Sequence, residues 1–361
     1  MNELEQLYSI AFSMVPGIPK TVLCDLIKQA GSAVEAYDRF SVYQQDGELS
    51  VNLVEQVCQM KHYLEPAKRE LEFAWENDIQ VLTLMDAAYS SRMRECPDAP
   101  ITLYYKGCAD INALRMVAMV GTRRCTENGR DFCRTFLRDL AQLCPNVVIV
   151  SGLAYGIDVN AHMQALANGL PTVAVLAHGL DTLYPSSHKN IANEMIRNGG
   201  LITEFMNGTT MDKFHFVQRN RIVAGLCDAT IVVESKERGG SLITAELAGM
   251  YFRDVFACPG RVTDNCSKGC NNLIQNNAAV LLQSAEGFVK SMNWESRTAP
   301  KTPIQRNLFV DLTPQEVEVV NKLRHSEPLD LSNLAVKCNI PIPHLHEILF
   351  ELELKGVVKC L

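Results

Sequence analysis

Apolar residues recur along this chain with two different periods, and the change of period divides it. At the start they fall three and four apart: Leu4, Leu7, Ala11 and Met14, then Val22, Leu23 and Ile27. That spacing predicts helices with one buried face. Val15-Pro16-Gly17-Ile18-Pro19 separates the two stripes and predicts a tight turn, since Pro and Gly fix the backbone there. From about residue 79 to 290 the pattern becomes short, continuous apolar runs rich in β-branched side chains. They are Val81–Leu84, Ile101–Tyr105, Met116–Val120, Val147–Val150, Val173–Leu176, Thr230–Val233 and Val255–Ala257, with helical stretches between them. Continuous rather than alternating hydrophobicity means strands covered on both faces, hence a mostly parallel sheet between helical layers. Beyond Asn293 the chain is polar and carries two prolines as far as Arg306, which predicts a linker. A small helical unit follows. Leu331–Ala335 starts one helix, Ile340-Pro341-Ile342-Pro343 makes a turn, and Leu345, Ile348, Leu349 and Leu352 lie on one face of the next. Gly356-Val357-Val358 then reads as a short strand, the order of a winged helix.

The predicted organisation is therefore an α/β protein of four segments. Residues 1–78 form a helical module of sterile-alpha-motif or helix-hairpin-helix type, and 79–292 an extended Rossmann-like, doubly wound, mostly parallel sheet. Residues 293–306 are the linker and 307–361 a winged-helix-like domain. A chain of 361 residues exceeds one ordinary core, in keeping with several domains. The hairpin of the first module can either bind a DNA backbone through its turn amides or simply pack two helices together.

Composition narrows the function classes. No apolar stretch approaches the ~20 residues of a membrane helix, and the first residues lack the basic region of a secretory signal. Thirteen cysteines stand singly, without framework spacing, which argues for reduced thiols and a cytoplasmic protein. The net charge of −7 is wrong for a protein that binds nucleic acid over its whole surface. A nucleic-acid site must then be local.

Candidate chemistry gathers where the strands end. Gly121-Thr122-Arg123-Arg124, Ser151-Gly152-Leu153-Ala154-Tyr155-Gly156-Ile157-Asp158, His178-Gly179-Leu180-Asp181 and Glu234-Ser235-Lys236-Glu237-Arg238-Gly239-Gly240-Ser241 each follow a predicted strand. Ligands of a doubly wound sheet bind at those ends, and glycine turns let backbone amides approach a phosphate. Four such turns on one edge suggest an anion groove. It is no standard nucleotide site, because neither G-x-x-x-x-G-K-[ST] nor a complete G-x-G-x-x-G is present and Arg123 occupies the second glycine position. A guanidinium there suits an exposed phosphodiester. The run Phe216-Val217-Gln218-Arg219-Asn220-Arg221, with Lys213 before it, adds cations and a ring, the requirements for holding a single strand.

Taken in order, Ser151–Asp158, Gly179-Leu180-Asp181 with Tyr184-Pro185, Arg219-Asn220-Arg221-Ile222, Gly240–Ala245 and Cys258-Pro259-Gly260 resemble the DprA (Smf) family of DNA-processing proteins. The resemblance covers the Rossmann-like segment nearly end to end. It implies a binder rather than an enzyme, without cofactor, which holds single-stranded DNA, forms a homodimer through that segment and helps load the recombinase RecA during natural transformation. It also implies the site: Gly121, Thr122, Arg123, Arg124, Ser151, Gly152, Tyr155, Lys213, Phe216, Arg219, Asn220, Arg221, Gly240 and Ser241. Two positions depart from the pattern. Val217-Gln218 stands where Pro-Arg is common and Tyr155 where arginine is frequent, and both changes remove positive charge.

Two other readings compete. Gly239-Gly240 with Glu246 overlays part of a motif of nucleotide phosphoribohydrolases, but Leu242-Ile243 occupies its Gly-Thr positions. Cys258, Cys266, Cys270 and Asp264 lie close in sequence, yet only Cys266-x-x-x-Cys270 approaches a zinc spacing. In the last helix, His344–Glu353 is acidic and apolar, which favours protein contact or packing over DNA reading.

Overall fold

The computed structural model describes residues 2–46, 59–294, 312–324, 331–355 and 357–358. Most of the expected linker 293–306 lies outside these. Met1–Glu295 and Ser296–Leu361 form two compact units.

The first unit opens with α1 (Glu3–Met14), α2 (Lys20–Ala30), α3 (Ala33–Asp46) and α4 (Leu64–Glu76). Gly17, in the predicted turn, takes φ +78°. The carboxylate of Glu5 accepts from the Ala33 and Val34 amides and so satisfies the start of α3. These helices pack on the sheet itself. Ile10, Phe12, Leu23 and Ile27 share a core with Val81 and Leu103, and Gln6 Nε2 donates to the Val81 carbonyl at 2.8 Å.

Nine strands make one sheet: β1 (Gln80–Thr83), β2 (Thr102–Gly107), β3 (Met116–Val120), β4 (Val148–Ser151), β5 (Thr172–Val175), β6 (Gly199–Thr203), β7 (Ala229–Val232), β8 (Asp254–Ala257) and β9 (Val280–Leu281). Their order is β1-β2-β6-β5-β4-β3-β7-β8-β9. Pairing is parallel from β6 to β9 and antiparallel among β1, β2 and β6. The fold is Rossmann-like.

Both faces are covered, as the unbroken hydrophobicity requires. Helices α5 (Ser91–Arg94), α6 (Glu127–Leu143), α7 (Ile157–Ala167), α8 (Lys189–Arg197), α9 (Lys213–Gly225), α10 (Gly240–Met250), α11 (Lys268–Gln275) and α12 (Ala285–Ser291) complete the unit. Alternate residues of β3 show the layering. Val117 and Met119 pack with Phe136, Ile157 and Phe288 of α6, α7 and α12. Met116, Ala118 and Val120 share the opposite core with Ile222, Val223 and Ala245 of α9 and α10.

All seven predicted runs are strands, and β6 and β9 are additions. β6 begins Gly199-Gly200, residues that weaken a strand. The glycine is needed at 200, because a Cβ there would lie 2.4 Å from the Tyr105 ring that crosses it. Tyr105 donates its hydroxyl to the carbonyls of Ala109 and Gly199.

In the second unit, α13 (Pro314–Arg324), α14 (Leu331–Cys338) and α15 (Ile342–Leu354) enclose Val319, Leu334, Leu345, Leu349 and Leu352. Lys355 pairs with Glu316 at 2.6 Å. Of the strand expected over 356–358, Gly356 lies outside the described residues. Val357 and Val358 pack against the helical core and belong to no strand. Among the described residues no helix is long and apolar enough to cross a membrane.

Candidate functional site

In an open α/β sheet, a crevice forms at the carboxyl ends of the strands where their order reverses. Here that point lies between β3 and β7, and a cleft of about 550 Å³ occupies it. Val120–Arg123 reach it from β3 and the turn after it, Ala154 from the turn after β4, Asp158 from the first turn of α7, and Tyr184 from the loop after β5. Ser235, Lys236, Arg238 and Gly239 come from the turn after β7, Gly240 and Ser241 from the start of α10, and Lys213, Phe216, Val217, Arg219 and Asn220 from α9. Five cations (Arg123, Lys213, Arg219, Lys236 and Arg238) thus line the cleft against one carboxylate, Asp158.

Arg219 forms the floor. It is 4% exposed and donates to the Val175 carbonyl. Burial pulls its pKa down to about 10, Asp158 offsets part of that shift, and Arg123 adds to it. The guanidinium therefore stays charged at neutral pH, at a cost. Its Nε has no hydrogen-bond partner among the described residues. A buried donor left over in this way is stabilised by any acceptor that reaches it. Asp158 is buried beside it. Burial raises its pKa, while Arg219 and the Gly152 amide, 3.2 Å from Oδ2, hold it down.

Helix α9 opens with Asp212, whose carboxylate accepts from the Phe214 amide at 2.8 Å. No acidic side chain stands in its first turn. The Arg123 guanidinium carbon lies 5.2 Å from the centre of the Phe216 ring, a cation–π contact that steadies the arginine over the cleft. Tyr184 meets the same ring edge-on at 5.8 Å.

The structure brings together Gly121, Thr122, Arg123, Lys213, Phe216, Arg219, Asn220, Gly240 and Ser241. It does not bring in the other expected residues. Arg124 is exposed, with its amide on Thr122 Oγ1. Ser151 is buried and donates to the Met119 carbonyl. Gly152 acts by absence: a Cβ there would lie 2.2 Å from an Arg219 nitrogen, so glycine leaves room for the guanidinium. Tyr155 is half exposed, its ring against His188 and its hydroxyl 3.4 Å from Ser187. Arg221 is placed elsewhere. Two residues beyond Arg219 it points about 200° round the helix. There it pairs with buried Glu204 at 2.6 Å and donates to the Asp98 carbonyl. It does not line the cleft.

The family model for DNA recombination-mediator protein A matches residues 80–293, and the DprA winged helix domain matches 300–361. The chain belongs to the DprA family. The DNA processing protein DprA of Streptococcus pneumoniae is 43% identical over 199 residues, 55% of this chain and 70% of that protein. The X-ray structure of S. pneumoniae DprA superposes with a TM-score of 0.63 at 32% identity, covering 79% of this chain and 96% of that one. DNA processing protein A of Helicobacter pylori, described for its single-stranded DNA binding mode, gives 0.54 at 28% identity over 60% of this chain and 96% of that one.

In this DprA chain Lys236, Arg238, Tyr184 and Asp158 also line the cleft; the sequence motifs contain all four, but the expected site did not include them. Tyr184, Lys236 and Arg238 stand in loops that follow predicted strands and Asp158 in the first turn of the helix after one, and that position was the available signal. Glu246, on which a hydrolase reading depends, is exposed on α10 and does not line the cleft. Cys258 and Cys270 are buried, and burial raises both thiols, Cys270 to about 12. Among the described residues no three metal-ligating side chains cluster.

Proposed function

We propose that this protein holds single-stranded DNA in the cleft between β3 and β7 and mediates recombination without catalysing a covalent change. The charge of the cleft carries the reading: five cations, one an under-paired buried guanidinium, face a groove with a single carboxylate. Phosphodiesters match that charge, and Phe216 with Tyr184 supplies an apolar wall for bases. The family match and the single-stranded DNA binding described for the H. pylori protein support the same reading. In its finer form, the protein is cytoplasmic, protects incoming or exposed strands, acts as a homodimer through the Rossmann-like segment, and helps load RecA. Residues 293–306 would tether the winged helix.

An oligonucleotide shift with single and double strands at several salt concentrations tests this. If all five cations engage phosphates, log K should fall with log salt at a slope of about −3.5, and Arg123→Ala should make it shallower by about 0.7. Single strands should bind more tightly than duplex. Salt-independent binding, or equal affinity for both substrates, would sink the proposal.

A further inference from the structure

Phe216 is encumbered, with Arg123 over one face and Tyr184 at its edge. Phe214 is not. It is 68% exposed at the first turn of α9, between two residues that line the cleft, Lys213 and Val217. Val217 is one helical turn on from Phe214, so the two lie on neighbouring strips of the helix surface, with exposed Met211 just before them. On its other side Phe214 precedes Gln218 by a turn. Gln218 donates to Glu204, and the same carboxylate takes Arg221 and Lys20. Lys213 thus adjoins the ring on the cleft side and the Lys20–Glu204–Arg221 cluster lies beyond Gln218 on the other, with the Asp212 carboxylate capping the helix at the Phe214 amide.

We infer that Phe214 is a second nucleobase platform, on which a single strand leaving the cleft past Lys213 lays a base. The inference rests on the single-stranded DNA reading above. A base covers one ring, and every base has a π-face, so an open phenyl at the mouth of a cationic groove fits a strand of any sequence. A protein partner fits less well. A stable interface needs about 800 Å² from each side, and the three apolar side chains Met211, Phe214 and Val217 fall well short of that.

The full-length protein, titrated with fluorescent oligothymidylates of about 4 and about 16 nucleotides, tests this. Phe214→Ala should weaken the longer strand by about 5- to 150-fold, the range of one base–ring stack, and leave the shorter strand nearly unchanged. The salt slope should stay the same, because stacking releases no counterions. Phe214→Trp should restore affinity, and its added indole fluorescence should be quenched by the longer strand. Unchanged affinity of Phe214→Ala for the longer strand overturns the inference, as does an equal loss for both lengths or a shallower slope. An effect on self-association alone would assign the ring to a protein contact and overturn it too. Arg123→Ala separates this failure from that of the parent reading: if it also leaves binding unchanged, the cleft is not the DNA site.

Discussion

Arg219 and Asp158 are the residues on which the cleft turns, and their burial sets the sign of its pH response. Burial lifts the Asp158 pKa more than Arg219 and the Gly152 amide lower it. The folded value therefore lies above the unfolded one. The protonated carboxyl favours the fold, a contribution that is full at low pH and lost as pH rises through the raised value. Protonation also removes the single negative charge of the cleft lining and, on the proposed reading, frees Arg219 to face the strand alone. Oligothymidylate binding should thus tighten as pH falls from neutral through that value, thymine having no group that titrates there. Asp158→Asn should mimic the acid form at neutral pH, tightening binding by roughly tenfold (about 1.4 kcal/mol). It should flatten the pH profile on the acid side without lowering Tm. Weaker binding by Asp158→Asn would mean that Asp158 serves mainly to position Arg219.

At the scale of the element, α9 works because its two faces are given different partners. Gln218 and Arg221, three apart, both meet Glu204, which is buried at the end of β6. This fixes the rotation of the helix so that Phe216, Arg219 and Asn220 face the cleft. Arg221→Met should leave the buried Glu204 carboxylate with half-exposed Lys20 as its remaining cation, beside the Gln218 amide. The expected cost is about 3 kcal/mol in urea or thermal unfolding, with the salt slope of DNA binding unchanged. Lys213→Ala should do the reverse, a slope shallower by about 0.7 with little change in stability. Sequence alone could not separate Arg219 from Arg221, since both belong to one Arg-Asn-Arg run and only the neighbours of the helix decide which guanidinium is spent inside the protein. The parallel strands and their loops were legible because continuous apolar runs leave one explanation. β6 was not, because a tyrosine ring laid across the sheet demands glycine where a strand would ordinarily carry Val or Ile. Lys236 and Arg238 stood in a candidate turn but not in the expected site for another reason: a charged residue in a polar turn looks the same whether it faces a ligand or solvent.

For the whole molecule, the net charge of −7 has to coexist with a cationic cleft. Residues 296–361 carry eight Lys or Arg and eight Asp or Glu, so the excess acidity belongs to the unit that holds the cleft. At about 0.1 M salt a charge is screened beyond roughly 10 Å. A strand in the cleft therefore feels its five cations far more than distant carboxylates, and a local site can work on an acidic body. The neutral C-terminal unit contributes no such field. Its last helix exposes Glu347 and Glu351, which repel phosphate, together with Ile342 and Phe350, which suit a protein surface better than a nucleic acid. Residues 1–295 hold the sheet, its covering helices and the cleft in one compact unit. That fragment should bind oligothymidylate within about threefold of the full chain, a difference under 1 kcal/mol, and with the same salt slope. A loss above tenfold, or a slope shallower by one phosphate or more, would show that the C-terminal unit reaches the strand through its lysines and arginines despite its acidic helix.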